Sequence, residues 1–311
     1  KILIITLSIL LIYNFSKDNY RFVLQNIDLH LFWLLILIFF KIFLHILLSL
    51  RFFFFFKSTS NYGLNFNHWS FLFFYTGLIN SSPFLWGAGH AIRSQEMKKK
   101  NFSYKKYLNM NLVTYFWGML IYSILSILLI VLFSDTQNNY IILSLVIMSA
   151  ISLLTLSKKI INLTYKFIII LKSKKLFLKK KLFKFMILKI SDLILITKNT
   201  LNSNTFFIFS IITFFLFFFE YLELILVFKF LFSNIDLKII LELFILNFIL
   251  KKIPSINIFL GARDALLGLY SQYLGLFFAE GVLISLFIRL INYVSLLANC
   301  IIYFILKRYD K

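Results

Sequence analysis

Residues 206–219 read FFIFSIITFFLFFF and residues 31–40 read LFWLLILIFF, and neither stretch contains a charged side chain. About 20 apolar residues in a helix cross the roughly 30 Å hydrocarbon core of a bilayer. Both stretches continue into longer apolar spans, 205–232 and 29–50. Only 14% of the chain is charged and 61% is hydrophobic, whereas a soluble domain carries about 25% charged residues. The sequence predicts an all-α polytopic membrane protein.

Apolar spans recur along the whole chain, and two of them are interrupted. Stretches 83–97 and 254–275 are apolar but contain Pro and Gly. If each crosses the membrane once, the chain makes ten crossings, and if each is a re-entrant hairpin, eight remain. Ten crossings are favoured, because every Lys-rich or Arg-rich segment then falls on one side. The uninterrupted spans lie near 2–15, 29–50, 66–80, 107–133, 140–156, 205–232, 238–250 and 279–306.

The net charge of +21 is concentrated between the apolar spans. This distribution matches the positive-inside rule and not a nucleic-acid interface, so both termini are expected on the cytoplasmic side of the cell (inner) membrane. Segment 157–200 alternates lysines with Leu, Ile and Phe. Such a pattern favours helices lying on anionic inner-leaflet lipids, with a solvated basic linker as the alternative. The segment divides one membrane domain, 1–311, into halves 1–156 and 201–311.

The two interrupted stretches resemble each other. Residues 83–93 read PFLWGAGHAIR and residues 254–264 read PSINIFLGARD, so each runs from Pro to Gly-Ala and then Arg. In the ten-crossing arrangement, the spans that follow them run in opposite directions, which makes the halves inverted copies. Paired broken helices in inverted halves are typical of a transport site. Their free N–H groups and an adjacent Arg suit a phosphate, although Pro and Gly are also tolerated as simple kinks in membrane helices.

At these residues the sequence resembles the flippase-like domain of lysylphosphatidylglycerol synthases. The first hallmark of that family corresponds to NSSPFLWGAGHAIR at 80–93, and the second to PSINIFLGARD at 254–264 followed by SLFIRLINY at 285–293. His90 and Asp264 stand where the family has Glu, and Thr114 and Tyr115 occupy the region of its Glu-Arg pair. The residues that the resemblance and the helix breaks together assign to substrate binding are Asn80, Pro83, Gly87, Gly89, Arg93, Pro254, Gly261, Arg263, Asp264 and Arg289.

The resemblance implies translocation or binding of a phospholipid or lipid-linked sugar. Catalysis in the synthases belongs to a separate soluble domain, which these 311 residues do not include, so no enzymatic activity and no cofactor are expected. Two other classes stay open: a membrane-embedded partner of a lipid-modifying glycosyl- or aminoacyltransferase, and a non-catalytic subunit of a larger complex. A homo-oligomer is compatible with each class.

Ionisable residues at membrane depth are costly and therefore candidates for function. Arg289 needs an acid, and a pair with Asp264 would be either a structural link or part of an anion site. Glu220 and Glu223 lie one helical turn apart, and Lys41 and His45 share a helix face. A proton relay and a merely polar bundle interior are the two readings of the glutamates, the second being favoured. The histidines and the single Cys300 do not form a metal-binding pattern.

Overall fold

The computed structural model describes residues 31–59, 65–81, 87–99, 102–133, 144–149, 204–232, 236–252 and 261–309. Within them it contains eight long or medium helices, α1 to α8. The predicted span 2–15, most of span 140–156, segment 157–200, Pro83 and Pro254 lie outside the described residues. In chain order the helices are α1 (Leu31–Thr59), α2 (Phe66–Ser81), α3 (Ala88–Lys99), α4 (Tyr104–Phe133), α5 (Asn204–Leu231), α6 (Leu237–Lys252), α7 (Ala262–Tyr273) and α8 (Phe278–Tyr309).

The helix lengths repeat between the halves. Helices α1 to α4 contain 29, 16, 12 and 30 residues, and α5 to α8 contain 28, 16, 12 and 32. Four helices, α1, α4, α5 and α8, are long and apolar enough to cross a membrane. The prediction of an all-α polytopic membrane protein is confirmed.

Helices α1 and α5 hold equivalent places in the two halves and run antiparallel. Phe55 contacts Phe209, while Lys41 pairs with Glu223 fourteen residues further along each helix in the opposite sense. Helix α2 packs antiparallel to α8, and its counterpart α6 packs antiparallel to α4. Each half therefore contributes its short second helix to the long last helix of the other half, in opposite directions, as expected for inverted copies.

The described part of each interrupted stretch forms the second arm of a helical hairpin. In the first hairpin, Arg93 of α3 reaches back to Phe73 of α2. In the second, Arg263 contacts Asn247 and Tyr270 contacts Glu242, so α7 runs back along α6. At 1.5 Å per residue, arms of 16 and 12 residues span about 24 and 18 Å, less than the hydrocarbon core. The structure has features of both predictions, the single crossing and the re-entrant hairpin. Each interrupted stretch forms one separate helix, but both arms are short and each hairpin begins and ends at the same end of the bundle.

Five lysines of α1, α3, α4 and α8 lie at one end of the bundle, which we call the basic end, whereas Lys229 of α5 lies over Trp33 at the other end. Aromatic pairs at this end join the end of α1 to the start of α5 and to the residues just before α4. Another aromatic pair joins the start of α2 to the end of α8. The first hairpin has its base at the basic end and the second at the opposite end. The lysines concerned are Lys57, Lys98, Lys99, Lys106 and Lys307.

Candidate functional site

A cavity of about 650 Å³ lies along one face of α4, and we call it the α4 cavity. It extends from Tyr104, at the basic end, to Tyr122, near the middle of α4. Gly87 and His90 of the first hairpin line it, and so do Lys251 and Lys252 at the end of α6. Helix ends next to the turns of both hairpins therefore line one cavity, and the turn residues 82–86 and 253–260 are not among those described.

Arg51 brings a guanidinium to the wall of the α4 cavity. It stacks against Phe52 and Phe209, with its Cζ 5.1 and 5.3 Å from the two ring centroids. Its Nε is buried and has no hydrogen-bond partner among the described residues. A buried guanidinium nitrogen without an acceptor is costly, and an anionic occupant of the cavity would offset that cost through its charge.

Lys252 lies within a cage of aromatic rings in the same wall. Its Nζ is 5.2, 5.9 and 5.5 Å from the ring centroids of Tyr115, Tyr122 and Phe248. Among the described residues no carboxylate forms an ion pair with Lys252, and cation–π contacts of this kind stabilise its ammonium. Tyr115 also donates its hydroxyl to the backbone oxygen of Lys252 at 2.6 Å, which fixes the end of α6 against α4.

The remaining charges in the wall belong to Lys251 and Glu220. Lys251 Nζ and Glu220 Oε2 are 3.9 Å apart, and both side chains are partly exposed to the cavity. Arg51, Lys251 and Lys252 thus face one carboxylate among the described lining residues. The wall carries a surplus of positive charge, which favours an anionic occupant.

Gly87 and Gly89 allow the first hairpin to close tightly. Gly87 has φ +89°, a conformation that side chains other than glycine rarely adopt. A Cβ on Gly89 would lie 2.2 Å from the backbone oxygen of Thr76, so only glycine permits this approach of α3 to α2. Asn80 accepts the Gly89 N–H at 2.9 Å and caps the contact.

Arg93 is buried in the same hairpin and holds its two arms together. Its Nε donates to Thr76 Oγ1 at 2.9 Å, and its Nη2 donates to the Phe73 backbone oxygen at 3.2 Å and to Thr76 Oγ1. The guanidinium also lies over the Phe73 ring at 4.6 Å. These contacts support a structural role for Arg93, beside its place in the wall of a second cavity.

That second cavity, of about 270 Å³, adjoins the α4 cavity. The two share Leu48, Phe52, His90 and Asn111 in their walls. We call it the amide cavity, because three asparagines line it together with His45, Ser81 and Arg93: Asn80, Asn111 and Asn292.

In the second hairpin, Gly261 and Arg263 correspond to Gly87 and Arg93 of the first hairpin. Gly261 precedes α7 with φ +87°, and Arg263 donates its Nε to Asn247 Oδ1 at 3.0 Å. Asp264 is buried, accepts a hydrogen bond from Ser285 at 2.5 Å and pairs with Arg289 Nη2 at 3.1 Å. The predicted Arg289–Asp264 pair is present. Arg263, Asp264 and Arg289 do not line either cavity, so the structure separates them from the group at the α4 cavity.

The intramembrane residues predicted on α1 and α5 meet across the bundle. Lys41 Nζ lies 2.7 Å from both carboxylate oxygens of Glu223, and both side chains are buried. His45 lies 3.0 Å from Asn292 Oδ1 and 3.2 Å from Ser295 Oγ. His45 therefore helps to join α1 to α8.

Sequence reasoning missed several cavity residues. In the sequence, Lys251 and Lys252 follow the apolar span 238–250 and resemble a basic segment at the membrane surface, but in the structure they end α6 inside the bundle, beside Tyr115. Arg51 follows an apolar run and has the same appearance as a boundary residue. Asn111 and Tyr122 carry no motif, and only their helical spacing relative to the hairpins could have suggested them. Asn292 lies within the hallmark stretch 285–293, but the resemblance assigned it no role.

Comparison with protein-family models, with curated proteins and with solved structures finds no match to this chain. The function is therefore argued from the residues of the two cavities.

Proposed function

We propose that this membrane protein binds the anionic headgroup of a lipid or lipid-linked substrate in the α4 cavity and translocates it. The observation that carries the proposal is the charge of that cavity: Arg51, Lys251 and Lys252 face a single carboxylate, Glu220, among the described lining residues. A cavity of about 650 Å³ is within the size range of ligand sites. Burial strengthens the attraction between these cations and a phosphate.

The arrangement of the hairpins supports translocation in addition to binding. Helical hairpins from inverted halves that meet at one cavity are typical of secondary transporters. The α4 cavity reaches the basic end of the bundle through Tyr104, which is exposed. The corresponding face of α8 is closed: the space near Gly281 and Ser271 is about 10 Å³. The resemblance to the flippase-like domain of lysylphosphatidylglycerol synthases points to the same activity.

The test is lipid translocation by the purified protein in phosphatidylcholine vesicles containing fluorescent phosphatidylglycerol. Dithionite added outside quenches the outer-leaflet lipid, and a slow second phase reports translocation. We expect the Arg51→Ala, Lys252→Ala double variant to slow this phase about tenfold or more, because it removes two charge-assisted contacts to phosphate. Lys229→Ala is the matched control, since Lys229 lies over Trp33 and away from the cavity.

Translocation at the wild-type rate by a well-folded double variant would contradict the anion site. No translocation by the wild-type protein, combined with tight binding of the lipid, would instead favour the alternative, a membrane-embedded partner of a lipid-modifying enzyme.

A further inference from the structure

The amide cavity presents neutral hydrogen-bonding groups directly beside the cationic α4 cavity. Its wall contains one residue with a permanent charge among those described, Arg93, whose guanidinium already donates to Thr76 and to Phe73. The side chains left to meet a ligand are therefore mainly amides and an imidazole. Such groups bind hydroxyls, which both donate and accept hydrogen bonds.

Each of the three asparagines is fixed by the protein at one end of its amide. Asn80 Oδ1 accepts the Gly89 N–H at 2.9 Å, and Asn111 Nδ2 donates to the Tyr107 backbone oxygen at 2.9 Å. Asn292 is held by the His45 ring at 3.0 Å. Among the described residues, no partner meets the other end of any of these three amides. An amide that is anchored at one end and unpaired at the other is oriented in advance for a ligand.

These amides differ in what they offer. Because Gly89 N–H is a donor, Asn80 must place its oxygen there and leave its NH2 group for the cavity. Because the Tyr107 carbonyl is an acceptor, Asn111 must place its NH2 group there and leave its oxygen. The cavity therefore presents a donor from α2 and an acceptor from α4, which suits several hydroxyls on one ring or chain.

The two cavities adjoin at His90 and Asn111, which belong to both walls. A ligand that places a phosphate beside Arg51 and Lys252 therefore has neutral polar space next to that phosphate. We infer that the headgroup is a phosphate ester of a polyhydroxylated group, a sugar or polyol, whose hydroxyls occupy the amide cavity. This inference rests on the proposed function, because it assigns the phosphate to the α4 cavity.

The absence of a carboxylate from the described wall of the amide cavity argues against an amine headgroup. An ammonium placed there would meet Arg93 and no compensating acid among those residues. Amine-bearing headgroups are consequently expected to bind less tightly than hydroxylated ones of similar size.

Binding of short-chain lipids to the full-length protein in nanodiscs tests the inference. The probes are dihexanoyl phosphatidylinositol, dihexanoyl phosphatidic acid and dihexanoyl phosphatidylethanolamine. We expect phosphatidylinositol to bind more tightly than the other two. Asn111→Ala should weaken phosphatidylinositol binding about two- to tenfold, the effect of one hydrogen bond, and weaken phosphatidic acid binding by a smaller factor, because phosphatidic acid has no headgroup hydroxyls to lose that bond.

Two further variants keep the test decisive. Asn111→Leu fills the amide cavity and should weaken phosphatidylinositol binding at least as much as Asn111→Ala does. Asn65→Ala changes an exposed asparagine at the start of α2 and should leave the affinity for both lipids unchanged. Equal affinity for phosphatidylinositol and phosphatidic acid, or equal losses for both with Asn111→Ala, would overturn the hydroxyl site.

The failure of the hydroxyl site can be distinguished from failure of the proposed function. If phosphatidic acid binds and Arg51→Ala weakens its binding, while phosphatidylinositol shows no advantage, the anion site stands and the hydroxyl site is wrong. If neither lipid binds, or if Arg51→Ala changes neither, both are wrong.

Discussion

Thr76 and Asn247 are each the eleventh residue of a sixteen-residue helix, and each accepts the Nε–H of the arginine in the following helix of its hairpin. Arg93 and Arg263 themselves hold different positions in their helices, the sixth and the second. The acceptor position is thus shared by the two halves, whereas the donor has moved by one helical turn. In both hairpins an arginine of the second arm donates to the same position of the first arm, although the local sequences differ.

This relationship predicts that Thr76 and Asn247 matter for stability. Thr76→Val leaves a buried arginine without its hydroxyl acceptor and should lower the free energy of unfolding by about 1–3 kcal/mol. Asn247→Leu should act similarly on Arg263. Thermal unfolding in detergent, followed by fluorescence, measures both. Thr213→Val is the control, because the buried Thr213 bonds within its own helix to Phe209; a loss as large for Thr213→Val would contradict the prediction.

The sequence predicted the repeat and the order of the elements, but not how the hairpin arms pack. The Pro-to-Gly-Ala-to-Arg pattern located both breaks, because Gly87 and Gly261 need a positive φ there. The pattern could not show that each arm is too short to cross, since apolar content alone does not set where an arm folds back. The sequence alone makes Lys251 and Lys252 look like residues at the membrane surface. The rings around Lys252, Tyr115, Tyr122 and Phe248, come from two different helices, so their cation–π contacts cannot be seen in the local sequence.

The position of the open cavity also depends on residues without a motif. Gly268 and Gly281 let α7 and α8 approach closely: a Cβ on Gly281 would lie 2.1 Å from Ser271 Oγ, and one on Gly268 would lie 2.8 Å from Phe278. In the first half, by alignment of helix starts, Ser94 and Tyr107 hold these places. Because Ser94 and Tyr107 are larger than glycine, α3 and α4 lie further apart than α7 and α8. The α4 cavity lies beside these two helices of the first half.

Alanine at these two glycines is therefore expected to be destabilising. Gly281→Ala should cost about 1–3 kcal/mol, because its methyl group would meet the backbone oxygen of Leu267 at 2.7 Å as well as Ser271. Gly118→Ala is the matched control: its methyl group would meet only Arg51 Nη1 at 3.9 Å, and alanine favours a helix. A Gly281→Ala protein as stable as the Gly118→Ala protein would contradict the close α7–α8 contact.

The Arg289–Asp264 pair is expected to support the second hairpin. Asp264 is buried, so Arg289→Ala leaves its carboxylate with Ser285 as the partner described, and should lower stability by about 2 kcal/mol or more. The Arg289→Ala, Asp264→Asn double variant should recover part of that loss, since the amide is neutral. Thermal unfolding of the four proteins of this double-mutant cycle measures the coupling. If Arg289→Ala abolishes translocation at unchanged stability, Arg289 is instead a substrate ligand.

Membrane orientation can be tested at the two ends of the bundle. The positive-inside rule predicts that the basic end faces the cytoplasm. With Cys300 replaced by Ser, a cysteine at Lys98 should react with an impermeant maleimide only after the cells are opened. A cysteine at Asp236, an exposed position at the opposite end, should react in intact cells. Labelling of both positions from outside would contradict the orientation inferred from the lysines.

The buried pair between Lys41 and Glu223 distinguishes a structural link from a transport element. Removing one partner leaves a buried charge, so Lys41→Met or Glu223→Leu alone should cost about 3–5 kcal/mol. Replacing both with apolar residues of similar volume removes both buried charges, so neither is left without its partner. Such replacements are often neutral or stabilising. We therefore expect the Lys41→Met, Glu223→Leu double variant to unfold at a temperature close to that of the wild-type protein.

The same double variant decides the role of the pair in translocation. Neither residue lines the α4 cavity or the amide cavity, whereas Glu220, one turn away, does line the α4 cavity beside Lys251. If the pair only joins α1 to α5, the double variant translocates fluorescent phosphatidylglycerol at the wild-type rate, while Glu220→Gln changes the rate by altering the charge of the cavity. A stable double variant that no longer translocates lipid would show that Lys41 and Glu223 belong to the transport mechanism, and that the interior of α1 and α5 carries charge for function as well as for packing.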